Sequence, residues 1–464
     1  MLTYSFQDRR GESLYEYLYT RIKEDILSGR LKAGEKLPSK RSLAENLDIS
    51  TVTVETAYGQ LVAEGYIYSK AKSGFYVSKI EGSLGTSIKK EPDKAPSQKE
   101  KKNIFADFTA NRTATESFPF DTWSRLMRET LSSRRGELLE NSPSQGLYTL
   151  RKAIADYLFQ FRGMTVSEDR IIVGAGTEYL YSIIIQLLGR DKRYALEDPG
   201  YGKIARIYGV NGVDFTHIPF EKDCVNIEKL ASSDCQVLHI SPSHHFPTGS
   251  VTPVAKRYEL LSWAKKKDGY IIEDDYDSEF RLAGRPVPSL QSIDSEGRVI
   301  YINTFSKSLT STIRISYMVL PDELMERYRE KLGFYSCTVS TFEQHTLAAF
   351  IREGYFEKHI NRMRTYYRAR RDFIMQCIKK HPDYNKVQIR EEHSGLHFIL
   401  ELHTELSDSE VRRRATEKGL NISFVSDYYY DKSRSSEHKV IINYSALDES
   451  KTAEAINLLF GVIR

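Results

Sequence analysis

The chain lacks paired cysteines and long apolar runs, and these absences set the first limits on what it can be. No apolar stretch approaches about eighteen residues, and the first ten residues have no apolar signal core, so we expect neither a membrane span nor secretion. No Cys-x-x-Cys pair is present, which argues against disulfides or structural zinc and favours a reducing cytoplasm. The four cysteines are scattered at Cys224, Cys235, Cys337 and Cys377.

Neither sign of charge dominates, and the small positive excess is localised. The 464 residues carry a net charge of +4, from 67 basic and 63 acidic side chains. Residues 1–80 hold 12 basic against 10 acidic side chains, residues 81–104 hold 6 against 4, and the remainder holds 49 of each. This excess favours a nucleic-acid partner only weakly. The chain is too long for one ordinary core, so two or three domains are expected.

Residues 10–80 have the pattern of a small helical domain that ends in a hairpin. Apolar residues at helical spacing begin at Leu14, and Gly29 is a natural stop. Ser39 and Ser50 each stand where a helix N-cap is expected. This order predicts a winged helix-turn-helix. The predicted elements are helices at 14–28 and 51–64, a short helix after Ser39, and strands at 66–69 and 75–77.

A winged helix binds DNA by placing the first turn of its third helix in the major groove, where side chains reach base edges. Thr51, Thr53 and Val54 occupy that turn here. Basic residues nearby would contact phosphates, which position the protein without specifying sequence. Spacing alone also fits a three-helix module for protein interaction, and this alternative stays open. The predicted DNA contacts are Ser39, Lys40, Arg41, Ser50, Thr51, Thr53, Lys70 and Lys72.

Residues 81–104 form a predicted linker. They are rich in Gly, Ser, Pro and Lys and contain almost no large apolar side chains. Such a segment cannot bury a core, so we expect it to be flexible and exposed. Its length would let the head sit far from the rest of its own chain.

Residues 105–464 alternate strand-like and helix-like segments, which predicts a large α/β domain with a mostly parallel sheet. After Pro321 the pattern becomes helical and then returns to strands near 395–400 and 439–442. This change predicts a smaller C-terminal α+β subdomain. The predicted strands of the large sheet are 171–173, 194–196, 237–240, 270–272, 299–301 and 316–319.

Residues suited to one cofactor fall at the carboxyl ends of these strands, where ligands of such sheets bind. Lys307 offers an amine for a Schiff base, and Asp274 can pair with a protonated pyridine nitrogen. Gly176 and Thr177 stand at a predicted helix start, where backbone N–H groups bind phosphate, and Arg314 can add a bidentate contact. Together they provide the parts of a site for pyridoxal phosphate.

These motifs resemble known families over nearly the whole chain. Residues 38–77 are similar to the winged helix of GntR-type bacterial regulators, and residues 105–464 resemble the fold-type I aminotransferases. The two together resemble the MocR subfamily of GntR regulators, in which such a head is fused to an aminotransferase-like body. The resemblance implies a regulator that binds double-stranded DNA and pyridoxal 5′-phosphate. It also implies a homodimer in which one chain's head rests on the other chain's body.

The resemblance assigns further roles at the cofactor site. Tyr276 would donate a hydrogen bond to the phenolic oxygen, and Tyr201 would stack on the ring. Phe246 stands where aminotransferases carry an asparagine donor, so Ser243 or His245 is expected to replace that donor. No metal is expected. The implied cofactor contacts are Lys307, Asp274, Tyr276, Tyr201, Gly176, Thr177, Thr304, Ser306, Arg314, Ser243 and His245.

Two departures from the relatives concern specificity. In GntR relatives an arginine is usual at the position of Thr51 and frequent at that of Glu55, so the operator sequence is not predicted. Aminotransferases bind the substrate carboxylate with an arginine in the C-terminal subdomain, and residues 441–446 contain none. Tyr428 and Lys203 stand where γ-aminobutyrate-responsive relatives carry arginines. An amino-acid substrate is therefore disfavoured, because a buried carboxylate binds poorly without its fork-shaped partner.

The simplest remaining ligand is the cofactor itself. We therefore expect a regulator that senses pyridoxal 5′-phosphate and most resembles the MocR-type regulators of vitamin B6 synthesis. Three alternatives stay open: a regulator that responds to an amino acid or amine, a working aminotransferase with an added head, and a DNA-binding protein with a cofactor-free body.

Overall fold

The computed structural model describes residues 3–4, 6, 12–80, 104–109, 117–282, 287–391, 395–445 and 447–464. The chain divides into two compact units, Met1–Glu100 and Lys101–Arg464, here called the head and the body. The linker predicted at 81–104 lies outside the described residues except for Ile104. Among the described residues, no helix combines the length and apolar character needed to cross a bilayer.

The head has the predicted winged-helix architecture. The two N-caps are formed as expected, because Ser39 Oγ accepts from the Ser42 backbone N–H and Ser50 Oγ from that of Thr53, each at 3.1 Å. Strands β1 and β2 pair antiparallel as the wing. The head elements are α1 (Leu14–Leu27), α2 (Lys40–Leu47), α3 (Thr51–Ala63), β1 (Ile67–Lys70) and β2 (Gly74–Val77).

The head has a hydrophobic core of its own. Leu18 and Ile22 of α1 are fully buried against Val54 and Leu61 of α3, at the spacing that places side chains on one helix face. Tyr58 is also buried, and its hydroxyl donates to the Pro38 carbonyl oxygen at 3.0 Å. These contacts hold α3 in place, so its outer face is presented on a rigid support.

The body begins with short strand β3 and then alternates helices and strands. Its elements are β3 (Ala106–Asp107), α4 (Phe120–Ser133), α5 (Tyr148–Arg162), β4 (Ile171–Gly174), α6 (Thr177–Leu188), β5 (Tyr194–Asp198), α7 (Gly202–Val210), β6 (Phe215–Glu221), β7 (Cys224–Val225), α8 (Ile227–Ser232), β8 (Val237–Ile240), α9 (Val254–Lys266), β9 (Tyr270–Asp274), β10 (Val299–Thr304), α10 (Phe305–Ser308), β11 (Ser316–Val319), α11 (Asp322–Leu332), α12 (Thr341–Arg352), α13 (Tyr355–Lys380), β12 (Val387–Arg390), β13 (His397–Leu402), α14 (Asp408–Glu417), β14 (Leu420–Asn421), β15 (Ser423–Phe424), β16 (Lys439–Asn443) and α15 (Glu449–Val462).

The large sheet is eight-stranded, in the order β4-β11-β10-β9-β8-β5-β6-β7. Strands β10, β9, β8, β5 and β6 run parallel, whereas β11 pairs antiparallel with both β10 and β4. The predicted mostly parallel sheet is therefore confirmed. Since β9 ends at Asp274 and β10 at Thr304, both residues lie at the carboxyl edge, where ligands bind in such folds.

The predicted smaller subdomain is also present. Strands β12, β13, β16 and β15 form an antiparallel four-stranded sheet with helices α14 and α15 nearby in the chain. Strand β3 pairs with β14, which ties the start of the body to this subdomain. One hydrophobic core includes Val173 and Tyr301 of the large sheet together with Ile442 of the small one. The two sheets are therefore parts of one packed body.

Candidate cofactor site and DNA-binding surface

A cavity of about 430 Å³ opens at the carboxyl edge of the large sheet. Part of its lining comes from the small subdomain, through Ser423, Tyr428, Ile441 and Asn443. Gly176, also among the predicted residues, lies beside Arg314 at the rim. The predicted cofactor residues that line the cavity are Thr177, Tyr201, Asp274, Tyr276, Thr304, Ser306, Lys307 and Arg314.

Lys307 lies on the short helix α10, which starts directly where β10 ends. Thr304 caps this helix by accepting from the Ser306 backbone N–H at 3.1 Å, and the Ser316 hydroxyl donates to Thr304 Oγ1 at 2.8 Å. Burial lowers the pKa of the Lys307 amine to about 8, and the nearby Asp277 carboxylate only partly offsets that effect. A lysine with a lowered pKa has more of its amine unprotonated at neutral pH, which is the form that attacks a carbonyl.

Asp274 has one carboxylate oxygen occupied and one without a partner. Its Oδ2 accepts from the Tyr181 hydroxyl at 2.6 Å, while its buried Oδ1 has no hydrogen-bond partner in the described part of the chain. A buried unpaired carboxylate oxygen is costly unless a donor meets it. The protonated ring nitrogen of pyridoxal phosphate is such a donor, so this geometry fits the cofactor.

The start of α6 provides a cradle for an anion. Gly176 has φ +95°, a conformation that favours glycine, and a Cβ at this position would collide with the Arg314 guanidinium. The first backbone N–H groups of a helix have no intrahelical partners, and they attract phosphate together with the helix dipole. The predicted phosphate contacts Thr177, Thr304 and Ser306 line the same cavity.

Aromatic side chains form the wall beside Tyr201. The ring of Phe246 lies edge-on to Tyr201 at 5.8 Å between centroids and edge-on to Tyr428 at 4.8 Å. Tyr276 also lines the cavity, and its hydroxyl lies 3.2 Å from His244 Nδ1. The same His244 nitrogen is 2.8 Å from an Asp277 carboxylate oxygen, which orients the ring beneath Tyr276.

Ser243 and His245 are not brought to this cavity, which corrects their predicted role. Both ring nitrogens of His245 are taken up inside the fold, by Thr248 Oγ1 at 2.7 Å and by the Pro199 carbonyl oxygen at 3.1 Å. Its ring stacks on Phe220, and burial lowers its pKa to about 3. Ser243 lines a separate small cavity with Arg162. Neither side chain supplies the donor that Phe246 lacks.

Among the described residues, the part of the cavity wall that belongs to the small subdomain carries no basic side chain. Ile441 and Asn443 of β16 face the cavity together with Tyr428. Of the residues that line the described cavity, the basic ones are Lys203, Lys307 and Arg314. Lys203 donates to the Glu178 carboxylate, so its charge is already matched within the site.

The lining residues that were not predicted from the sequence include Tyr181, Glu178 and Glu197. Tyr181 lies one helical turn after Thr177, so the helical period could have placed it beside the cofactor residues. Glu178 follows Thr177 directly and stands at the helix start. Glu197 lies next to the last residue of β5, and burial holds the pKa of its carboxyl well above the usual range. No sequence pattern distinguishes Glu197 from an ordinary strand-end acid.

The outer face of α3 differs from the prediction in two positions. Val54 is fully buried in the head core, so it cannot reach a base edge. Val52 is instead 70% exposed on the same turn. The residues Arg41, Thr51, Lys70 and Lys72 are exposed.

Three other predicted DNA contacts are engaged within the head. Lys40 pairs with the Glu55 carboxylate at 2.5 Å. The Ser39 and Ser50 hydroxyls accept the helix-capping hydrogen bonds described above. Their exposed positions at the helix starts remain compatible with phosphate contacts, which stay a prediction.

Comparisons with known proteins agree with both units. Residues 14–77 match the gntR family of bacterial regulatory proteins, and residues 106–459 match aminotransferase class I and II. YdeL of Bacillus subtilis, described as an uncharacterized HTH-type transcriptional regulator, is 37% identical over 96% of each chain. The probable rhizopine catabolism regulatory protein MocR of Rhizobium meliloti is 31% identical, covering 96% of this chain and 93% of its own.

Two further comparisons concern a named regulator and the fold. The HTH-type pyridoxine biosynthesis transcriptional regulator PdxR of Corynebacterium glutamicum is 30% identical, covering 90% of this chain and 89% of its own. Kynurenine aminotransferase of Pyrococcus horikoshii superposes with a TM-score of 0.68 at 24% identity, covering 78% of this chain and 91% of that chain. At this identity the second likeness shows the fold alone.

Fold and site together define a class of protein: a winged helix followed by a body with the architecture of a class I and II aminotransferase. The chain belongs to the GntR-family transcriptional regulators that carry such a body, the group that includes MocR. It is a regulator rather than an enzyme, as its relatives are named.

Proposed function

We propose that this regulator binds pyridoxal 5′-phosphate in the body cavity and that its occupancy sets the affinity of the head for DNA. The observation that carries the proposal is the joint placement of Lys307, Asp274 and Arg314 around one cavity, to which the described residues of the small subdomain contribute no cation. Lys307, Asp274 and Arg314 suit, in that order, the aldehyde, the ring nitrogen and the phosphate of the cofactor. The absent cation disfavours an amino-acid carboxylate as a second ligand.

Each residue would act through a group that the cavity already presents. When bound, pyridoxal phosphate supplies an aldehyde that an amine captures reversibly. Lys307 would hold the ligand covalently, and Asp274 would keep a proton on the ring nitrogen. Arg314 and the first turn of α6 would hold the phosphate. No turnover is required, because capture alone changes the occupancy of the site.

The regulated genes would be those for vitamin B6 synthesis. The relative PdxR, 30% identical, is named as a pyridoxine biosynthesis regulator, and this likeness supports the choice. A protein that measures the cofactor directly is suited to control the supply of that cofactor. Coupling to DNA requires that the ligand bind one arrangement of the protein more tightly than another.

We further propose a homodimer in which the head of one chain rests on the body of the other. The resemblance to the MocR subfamily supports this arrangement, and the predicted linker at 81–104 is long enough to permit it. Sedimentation of the full chain tests the dimer. A protein that stays monomeric at every concentration and still binds its operator would contradict the dimer.

The function is tested by titrating the cofactor-free protein with pyridoxal 5′-phosphate while following cofactor absorbance and DNA binding together. The DNA is the segment upstream of the protein's own gene, and Lys307→Ala is the control. We expect DNA affinity to change along the same curve as the absorbance. If DNA binding moves only after an amine or amino acid is added, that second molecule is the effector. Multiple turnover with an amino donor and a keto acid would instead establish an aminotransferase.

A further inference from the structure

An acidic side chain stands inside the proposed phosphate subsite. Glu178 is the second residue of α6, directly after Thr177. One of its carboxylate oxygens accepts from Lys203 Nζ, and the other lies 3.7 Å from Arg314 Nη2. All three side chains line the same cavity, and each is about half exposed.

The carboxylate is ionised in this position. The hydrogen bond from Lys203, with Arg314 also close by, holds the pKa of Glu178 below its usual value. The start of α6 further favours a negative charge, because the helix dipole is positive there. Glu178 therefore places a negative charge at the start of α6.

A bound phosphate would need the same surroundings. The Arg314 guanidinium lies so close to Gly176 that a Cβ there would collide with it, which places this cation beside the first N–H groups of α6. A phosphate at that helix start would contact the arginine that Glu178 faces. Two anions beside one cation repel each other, and the phosphate must also separate Glu178 from Arg314.

We propose that Glu178 is a specificity-determining residue of the phosphate subsite. Its carboxylate lies against Arg314 until phosphate displaces it, and this competition weakens the binding of ligands that carry phosphate. This inference rests on the proposed function, since it assigns the phosphate of the ligand to this subsite. Lys203 takes part in the same competition. Its hydrogen bond would hold the displaced Glu178 carboxylate, and its charge would then not be available to a carboxylate of the ligand.

Glu178 and Lys203 also join α6 to α7, so a purely structural role must be distinguished. Removing a structural ion pair would lower stability and would weaken every ligand alike. Removing a competing carboxylate would strengthen only ligands that carry phosphate. The two roles therefore predict changes of opposite sign for pyridoxal 5′-phosphate.

The test compares full-length wild-type protein with Glu178→Gln, using pyridoxal 5′-phosphate and pyridoxal as probes. The second probe lacks the phosphate but keeps the aldehyde and ring. Glu259→Gln is the matched control, because it removes a similarly exposed carboxylate that pairs with Lys256 within α9, away from this cavity. We expect Glu178→Gln to lower the dissociation constant for pyridoxal 5′-phosphate about tenfold, as for loss of one close repulsive charge. Its constant for pyridoxal should stay unchanged, as should both constants for the control.

Equal tightening of both probes, or weakening of pyridoxal 5′-phosphate, would overturn the inference. Melting temperatures with and without inorganic phosphate provide a readout that needs no cofactor, and phosphate should stabilise Glu178→Gln more than wild type. If the dissociation constants shift as expected but DNA affinity ignores the ligand, the proposed function fails and the role of Glu178 stands. If neither protein captures pyridoxal 5′-phosphate, the proposed function fails, and equal stabilisation by phosphate then refutes the role of Glu178 as well.

Discussion

The lowered pKa of Lys307 predicts how fast the protein captures its ligand at each pH. Only the unprotonated amine attacks an aldehyde, so the capture rate follows the unprotonated fraction. Burial favours that form, and it lowers the pKa to about 8 from the ordinary value of 10.5. The rate should therefore rise through about pH 8 and level off above it.

The size of the effect follows from these two pKa values. At pH 7.5 about a quarter of the Lys307 amine is unprotonated, whereas an ordinary lysine has about one amine in a thousand in that form. Burial thus increases the reactive fraction by about two orders of magnitude. The Asp277 carboxylate acts in the opposite direction and raises the pKa, so Asp277→Asn should move the midpoint to lower pH.

Stopped-flow absorbance with excess pyridoxal 5′-phosphate measures this rate across about two pH units on each side of the midpoint. Asp268→Asn is the control, since Asp268 is an exposed acid paired with Arg298 elsewhere on the body. It should leave the midpoint unchanged. A midpoint near that of free lysine would show that burial does not favour the neutral amine. A shift to higher pH in Asp277→Asn would show that the sign assigned to this carboxylate is wrong.

Three further substitutions test other parts of the molecule. Asp274→Asn should weaken retention of pyridoxal 5′-phosphate in equilibrium dialysis by about tenfold, because a neutral amide no longer favours the protonated ring nitrogen. Unchanged retention would mean that the unpaired Asp274 oxygen does not bind the ring nitrogen. Lys70→Ala should lower the slope of log DNA affinity against log salt concentration by about one, measured by fluorescence anisotropy. An unchanged slope would show that Lys70 of the wing does not contact phosphate. Ile22→Ala should destabilise the head by about 2–5 kcal/mol in urea unfolding of the full chain, and a loss below about 1 kcal/mol would contradict the packing described.

The sequence was most informative where local chemistry and chain order act together. Ser39 and Ser50 cap helices as predicted, because the N-cap bond joins residues three apart. Asp274 and Lys307 meet at one cavity because Asp274 ends β9 and Lys307 lies in the short helix that follows the neighbouring strand β10. Such placements depend on topology alone, which the alternation of strands and helices indicates.

The sequence was least informative where a side chain's contacts depend on residues that are distant in the chain. The sequence predicts His245 as a cofactor contact, yet both its ring nitrogens have hydrogen-bond partners inside the fold. Val54 and Val52 are two residues apart on one helix, and only packing against the head core decides which is buried. Glu178 was not predicted because its role depends on its contacts with Lys203 and Arg314, which are distant in the chain.

The hairpin of β10 and β11 has a consequence for how such a regulator can change its ligand. Thr304 pairs with Ser316, so Lys307 and Arg314 lie on one short connection between two hydrogen-bonded strands. The spacing between the capturing amine and the guanidinium is thereby set by a single rigid unit. Tyr428 and Asn443 also line the cavity but belong to the small subdomain. Substitutions in that part of the wall can therefore alter which molecule is recognised while the residues that retain the cofactor are inherited intact.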